Sequence, residues 1–298
     1  MTPDLFAPAD LQRDTPPPLS DYGWRMLAEG DSWFSIGATG NFSTCVLLEL
    51  ELPRSCAIVN CAEPGATLQR MVDRRADIVC RSLLVGRRAR HWDAVLLSAG
   101  GNDLVAAAET PPTQGGRPTP PERRLLRSAA EVGHARTAAD WVSDAGWALL
   151  AAHLRAEFSE FAAWRNAGPS ATRPLLLHTY ATPVARPAGT LEHPLGWLLP
   201  ALRAHGVPAA WWQPVTALLF ERLRLLLLGL DAASGSPHAL ARVHVFDSAT
   251  QVPLVAAAPT ATGLSGDWVN EIHLSTSGYR KFGRAFGHWI AEVLAGYP

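Results

Sequence analysis

The stretch Trp24-Arg25-Met26-Leu27-Ala28-Glu29-Gly30-Asp31-Ser32-Trp33-Phe34-Ser35 organises the interpretation of the whole chain. Its apolar first half predicts a buried strand, and Gly30 then permits a turn that only a residue without a Cβ makes at low cost. Asp31 and Ser32 would therefore follow the carboxyl end of a strand. In a parallel α/β sheet that edge binds ligands, because strand-to-helix loops and helix N-termini meet there. Ser32 is thus a candidate nucleophile, although Asp and Ser are also common helix N-caps.

Composition narrows the class of protein. The chain has 298 residues, of which 48% are hydrophobic and 18% charged, as expected for a globular protein with a full core. With 26 basic and 27 acidic residues, no general field attracts nucleic acid or an anionic membrane. No segment reaches the ~18 apolar residues of a membrane span, and residues 1–20 lack the pattern of a secretory signal. We therefore expect a cytoplasmic protein that binds a small molecule, with no nucleic-acid partner and no membrane span.

Cysteines and prolines add two expectations. Four cysteines lie in one short segment without CxxC spacing or nearby histidine pairs, which predicts buried free thiols rather than disulfides or a zinc site: Cys45, Cys56, Cys61 and Cys80. Residues 1–20 combine aspartates and prolines without an apolar run, which predicts a flexible N-terminal arm.

Apolar runs and helical periodicities alternate along the rest of the chain. The first strand begins at Trp24, and four further short runs predict strands at 57–61, 93–98, 175–178 and 243–247. Helical patterns are predicted at 41–52, 67–79, 140–165, 214–228 and 278–294. This alternation predicts an α/β fold with a five-stranded parallel sheet that is covered on both faces.

Residues 21–298 are expected to form a single domain with two insertions, at about 104–139 and 179–213. Within the first insertion, five prolines at 109–124 predict an exposed loop. The second insertion is rich in proline and tryptophan. It is either a wall or lid of a pocket at the active edge of the sheet, or simple packing of inserted chain.

Small-residue turns follow three of the predicted strands. They carry Asp31 and Ser32, then Gly65, then Gly100-Gly101-Asn102-Asp103. His273 lies just before the last helix. Because all these positions converge on one edge of a parallel sheet, we expect their side chains to lie close together.

These blocks resemble, in order and position, those of the SGNH hydrolases, also called the GDSL lipase/esterase family. The resemblance extends from about residue 24 to 294, and it implies a three-layer α/β/α sandwich with a flavodoxin-like arrangement of five parallel strands. It also implies that Ser32 is the nucleophile and His273 the general base. The oxyanion hole would consist of the backbone N–H groups of Ser32 and Gly65 and the side-chain amide of Asn102.

The third member of the triad departs from the family pattern. The family places an aspartate three residues before the histidine, and this chain has Asn270 there. Asn270 could orient His273 in a slower triad. Alternatively, a neighbouring acid could take its place, and Asp267 is favoured over Glu271 for this role. In the third alternative a backbone carbonyl is the only partner of His273, and the site is a Ser-His dyad.

The resemblance implies a serine-dependent hydrolase of carboxylic esters that works through an acyl-serine and needs no metal or organic cofactor. A carbohydrate O-deacetylase or an acyltransferase would use the same residues. From a different class, a catalytically weak binding or scaffold protein could retain the fold. A Gly-x-Ser-x-Gly elbow is absent, which disfavours an α/β-hydrolase, and no Gly-x-Gly-x-x-Gly follows the first strand, which disfavours a dinucleotide enzyme.

Overall fold

The computed structural model describes residues 1–35, 44–73 and 78–297. Within them, the central sheet has six strands in the order β1-β3-β2-β4-β7-β8, and every neighbouring pair is parallel. The strands are β1 (Asp4–Phe6), β2 (Trp24–Gly30), β3 (Cys56–Asn60), β4 (Ala94–Ser98), β7 (Leu175–His178) and β8 (Val243–Phe246). A separate two-stranded antiparallel hairpin consists of β5 (Thr113–Gln114) and β6 (Arg117–Pro118).

The five strands expected from the sequence are all present, and their parallel arrangement is confirmed. Each reads as a continuous apolar run because both faces of the sheet are covered. In β2, for example, residues 26–30 are all buried. Gly30 also allows a close approach of neighbouring strands, since a Cβ there would lie 2.8 Å from the Cβ of Ser98 on β4.

The strand count was wrong by one, because the sixth strand comes from the predicted flexible arm. Asp4–Phe6 pairs with β3 in register, with Leu5 opposite Ile58. The N-terminal amine also donates a hydrogen bond to the Leu52 carbonyl, at 2.5 Å. A three-residue edge strand is too short to show a periodicity, and the surrounding prolines pointed to irregular chain.

The helices among the described residues flank the sheet. They are α1 (Leu68–Val72), α2 (Ile78–Leu84), α3 (Gly101–Glu109), α4 (Ala129–Val132), α5 (Asp144–Ala167), α6 (Leu198–Ala204), α7 (Ala209–Leu228), α8 (Ser248–Gln251) and α9 (Thr276–Ala295). The last helix packs its aromatic stripe on the sheet, where Phe282 and Phe286 meet the ring of Phe246 on β8. Within residues 1–35, 44–73 and 78–297, no helix has both the length and the apolar character needed to cross a membrane.

Two predicted helices in the first half of the chain were wrong in extent. Of the helix predicted at 41–52, residues 41–43 lie outside the described residues. The remainder forms only a 3-10 turn at Leu47–Glu49, because the backbone becomes extended at Leu50. The N–H of Leu52 then donates a hydrogen bond to the Met1 carbonyl instead of to a helical partner. The helix predicted at 67–79 stops at Val72, with Asp73 extended, and α2 begins at Ile78 beyond the undescribed residues 74–77.

Two later helices begin elsewhere than predicted. Ser143 rather than Asp140 caps α5, because the Ser143 hydroxyl accepts the Gly146 N–H while Asp140 closes an earlier 3-10 turn. α7 begins at Ala209 after Pro208, so Pro214 lies inside the helix rather than at its first turn. Its end at Gly229 is as predicted. The proline-rich loop is exposed at residues 113–118, as expected, but it is folded into the β5–β6 hairpin.

Candidate active site

Ser32 lies two residues after the last residue of β2, in the turn at the carboxyl end of that strand. The turn is fixed from both sides, because Asp31 donates its N–H to the Ser98 carbonyl at 3.0 Å and accepts the Trp33 N–H at 2.9 Å. Ser32 is only 6% exposed. Its Oγ lies 2.8 Å from Nε2 of His273, which is 241 residues away in sequence. The fold therefore joins the two residues that the sequence placed at the same edge.

Asn270 holds the other side of the imidazole. Its Oδ1 lies 3.0 Å from Nδ1 of His273, and the same oxygen accepts the backbone N–H groups of Ile272 at 3.1 Å and His273 at 2.8 Å. Only an oxygen can accept from backbone N–H donors, so the orientation of the amide is settled by its neighbours. Nδ1 must therefore carry the proton, and the lone pair of Nε2 faces the Ser32 hydroxyl.

His273 is held neutral by its surroundings. Burial lowers its pKa to about 4, and the amide of Asn270 brings no negative charge to offset this. The ring of Trp197 packs edge-on against the imidazole, with the centroids 5.6 Å apart. A neutral imidazole is competent to accept a proton, but the imidazolium that results gains no charge partner from Asn270.

The two acids considered as replacements for Asn270 have other partners. The Asp267 carboxylate binds Lys281 Nζ at 2.7 Å, Ser277 Oγ at 2.9 Å and the Val255 N–H at 2.7 Å. Glu271 accepts four backbone N–H groups, and all of them belong to the 186–199 segment. The structure thus places Asn270, and neither of these carboxylates, beside the imidazole.

Asp31 supports the turn rather than pointing at the serine. Its carboxylate accepts the hydroxyls of Tyr180 at 2.5 Å and Ser98 at 2.8 Å. Burial raises the pKa of Asp31 to about 6, although hydrogen bonds from Tyr180, Trp33 and Ser98 favour the charged form. Sequence reasoning missed Tyr180, and the only signal was its position just after the fourth predicted strand, at the same edge of the sheet.

Gly65 follows β3 and Asn102 follows β4, the two strands on either side of β2. The Asn102 Nδ2 donates one hydrogen to the Ala66 carbonyl at 3.0 Å, which orients the amide and leaves its second hydrogen available. Gly65 has a φ of +74°, a conformation that favours glycine, with nothing within 4 Å of where a Cβ would lie. Asp103 joins the two segments, because its carboxylate caps α1 by accepting the Leu68 N–H at 2.9 Å.

A small pocket opens beside Ser32 and Asn102. Its remaining wall is mostly apolar and includes Val105 from α3, Phe220 from α7 and Pro183 from the proline-rich insertion. The volume open to a water-sized group is about 20 Å³. The insertion thus supplies part of the pocket wall, one of the two roles that the sequence left open. The residues from the two helices gave no signal in the sequence, because nothing local marks a pocket-lining side chain.

Away from the Ser32 site, the described residues include one cluster of side chains that could ligate a metal ion. Glu29, Cys61 and Cys80 bring three ligand atoms within 4.8 Å of one another, and none of them belongs to the Ser32 pocket. All four cysteines carry free thiols, and three of them are buried.

The parallel sheet and its flanking helices form an α/β/α sandwich, so the fold that the resemblance implies is confirmed. The structure of a possible lipase from Chitinophaga pinensis DSM 2588 aligns over 91% of this chain and 98% of its own, at 12% identity and a TM-score of 0.51. An extracellular lipase from Streptomyces rimosus aligns over 93% and 100%, at 12% identity and a TM-score of 0.47. Phospholipase A1 from Streptomyces albidoflavus NA297 aligns over 92% and 99%, at 15% identity and a TM-score of 0.44. No family model and no curated protein matches the sequence.

Proposed function

We propose that the protein is a serine hydrolase of carboxylic esters. The observation that carries the proposal is the chain of contacts from Ser32 Oγ through His273 to Asn270 Oδ1, at 2.8 Å and 3.0 Å. It is the arrangement of a weak hydroxyl nucleophile, a base within hydrogen-bond reach and a group that orients the base.

The first half of the reaction follows from these contacts. As Ser32 Oγ forms a bond to the ester carbonyl carbon, its proton passes to Nε2 of His273, and the carbonyl oxygen becomes an oxyanion. The free hydrogen of the Asn102 amide and the backbone N–H groups of Ser32 and Gly65 would donate to that oxyanion. The C–O bond to the alcohol then breaks, and the alkoxide takes the proton from Nε2.

The second half repeats these steps with water. The oxygen of a water molecule attacks the acyl carbon while Nε2 of His273 accepts a proton from that water. The bond between the acyl carbon and Ser32 Oγ then breaks, Oγ takes the proton from Nε2, and the carboxylic acid leaves. An alcohol acceptor in place of water would make the same site an acyltransferase, and an acetylated sugar as substrate would make it an O-deacetylase. No step requires a metal or an organic cofactor. The free thiols fit the cytoplasmic location that we infer from the sequence.

The test is hydrolysis of short p-nitrophenyl esters by the unaltered protein and by Ser32→Ala, with Ser20→Ala as the control. Ser20 is an exposed serine, so the control makes the same chemical change away from the site. We expect Ser32→Ala to lower kcat by roughly a thousandfold or more and Ser20→Ala to leave it unchanged. Equal turnover by the unaltered protein and Ser32→Ala would exclude the proposal. Absence of turnover in both, on every ester, would favour the binding or scaffold protein.

A further inference from the structure

The pocket beside Ser32 also bears on which acyl groups the site accepts, an inference that rests on the proposed function. During the reaction the leaving alcohol must face Nε2 of His273, because that atom donates its proton. The oxyanion must face the Asn102 amide. The third substituent of the carbonyl carbon, the acyl chain, is thus directed away from His273, into the space that Ser32 and Asn102 border.

That space is small. The centre of a water-sized group can move within only about 20 Å³ there, so the space is narrow and suits a short group better than a long chain. Each added methylene of a longer acyl chain would have to displace part of the wall.

The wall is also firmly held. Val105 and Phe220 are each 6% exposed and lie on separate helices, α3 and α7. The carbonyl of Pro183 accepts a hydrogen bond from Gln213 Nε2 at 3.1 Å, which ties the insertion to α7. Tyr180 is anchored through its hydroxyl to Asp31. Close-packed side chains of this kind give way only at a cost, so the pocket keeps its size.

We propose that this pocket is the acyl site and that the protein is selective for esters of very short acids, acetyl esters first. Phe220 and Val105 are the residues that set the limit. The alcohol part of the substrate lies on the side of Nε2 of His273, next to the ring of Trp197.

The experiment compares kcat/KM for p-nitrophenyl acetate, butyrate, hexanoate and octanoate. It uses the unaltered protein, Phe220→Leu and Val105→Ala, with Leu225→Ala as the control. Leu225 lies on the same helix as Phe220 but is 57% exposed, so its truncation leaves the pocket intact. A thermal unfolding curve shows whether each variant is folded. If Phe220→Leu is unfolded, Val105→Ala, which is the smaller change, provides the test.

We expect the unaltered protein to prefer acetate over butyrate by about tenfold or more. Enlarging the pocket should lower that ratio by about tenfold in the two variants and leave it unchanged in Leu225→Ala. A value of kcat/KM that rises with chain length, while still depending on Ser32, would overturn the acyl-site proposal alone. An acetate preference that neither pocket variant alters would do the same. Failure of Ser32-dependent hydrolysis on every ester would instead overturn the proposed function, and this inference with it.

Discussion

Replacing Asn270 by aspartate should change the pH dependence of catalysis in a direction that the structure determines. His273 works only when neutral, so kcat/KM falls as the pH drops through its pKa. With the amide present, burial holds that pKa at about 4. Asn270→Asp places a negative charge next to Nδ1 at an unchanged distance of about 3.0 Å. A negative charge favours the imidazolium, so the pKa of His273 must rise and the acidic limb must move to higher pH.

The size of the shift follows from the separation of the charges. Two unit charges about 4 Å apart interact by roughly 4 kcal/mol at an effective dielectric constant near 20. At about 1.4 kcal/mol per pKa unit, this corresponds to an upper limit of about three units. Burying the new carboxylate cancels part of the gain, although the N–H groups of Ile272 and His273 remain to donate to it. We therefore expect the limb to rise by roughly one to three pH units.

The assay is the pH profile of kcat/KM on p-nitrophenyl acetate from about pH 3.5 to 9. Asn166→Asp is the control, since it adds the same charge at an exposed site on α5. The unaltered protein and the control should reach half of their plateau near pH 4. The Asn270→Asp variant should do so at higher pH, with a higher plateau above pH 8, because the imidazolium formed during attack is then stabilised. A limb that stays in place or moves to lower pH would refute the assignment of Asn270 as the partner of the base.

Three further changes test the surroundings of the site. Asn102→Ala should lower kcat by about 100- to 1000-fold with little change in thermal stability, since it removes a donor to the oxyanion; unchanged kcat would exclude this role. Tyr180→Phe should cost about 1–3 kcal/mol in urea unfolding, because it deprives the buried Asp31 carboxylate of a hydroxyl donor. Glu271→Gln should lower the free energy of unfolding by a similar amount, since the carboxylate accepts four backbone N–H groups of the 186–199 segment. For these two variants, unfolding curves identical to those of the unaltered protein would contradict the account.

The strands and the order of the site blocks could be predicted because both depend on local sequence. Buried parallel strands are continuous apolar runs, and the turns after them carry glycine together with Asp31, Ser32 or Asn102. The edge strand at Asp4–Phe6 could not be predicted, since its stability comes from pairing with Cys56–Asn60, about 50 residues later. Helix starts were displaced for a similar reason, because several residues near each start could serve as the cap, as Asp140 and Ser143 show.

The hydrogen bonds and the pocket wall around Ser32 and His273 could not be predicted from the sequence. Spacing favoured Asn270 as the neighbour of His273, yet it could not exclude Asp267, whose partner Lys281 lies one helix further on. The hydrogen bond from Tyr180 to Asp31 spans 149 residues, and the one from Arg186 to Glu271 spans 85. The pocket wall comes from α3, α7 and the insertion together, so its size depends on how helices distant in sequence pack.

Covalent labelling with a fluorophosphonate, followed by peptide mapping, tests most directly whether Ser32 is a nucleophile activated by His273. The reagent reacts with an activated serine whatever the natural ester is. The account predicts a single adduct on the peptide that contains Ser32, its loss in Ser32→Ala, strong reduction in His273→Ala and full labelling of Ser20→Ala. Absence of an adduct on the folded protein, an adduct on a different serine, or labelling of Ser32 that does not depend on His273 would contradict it.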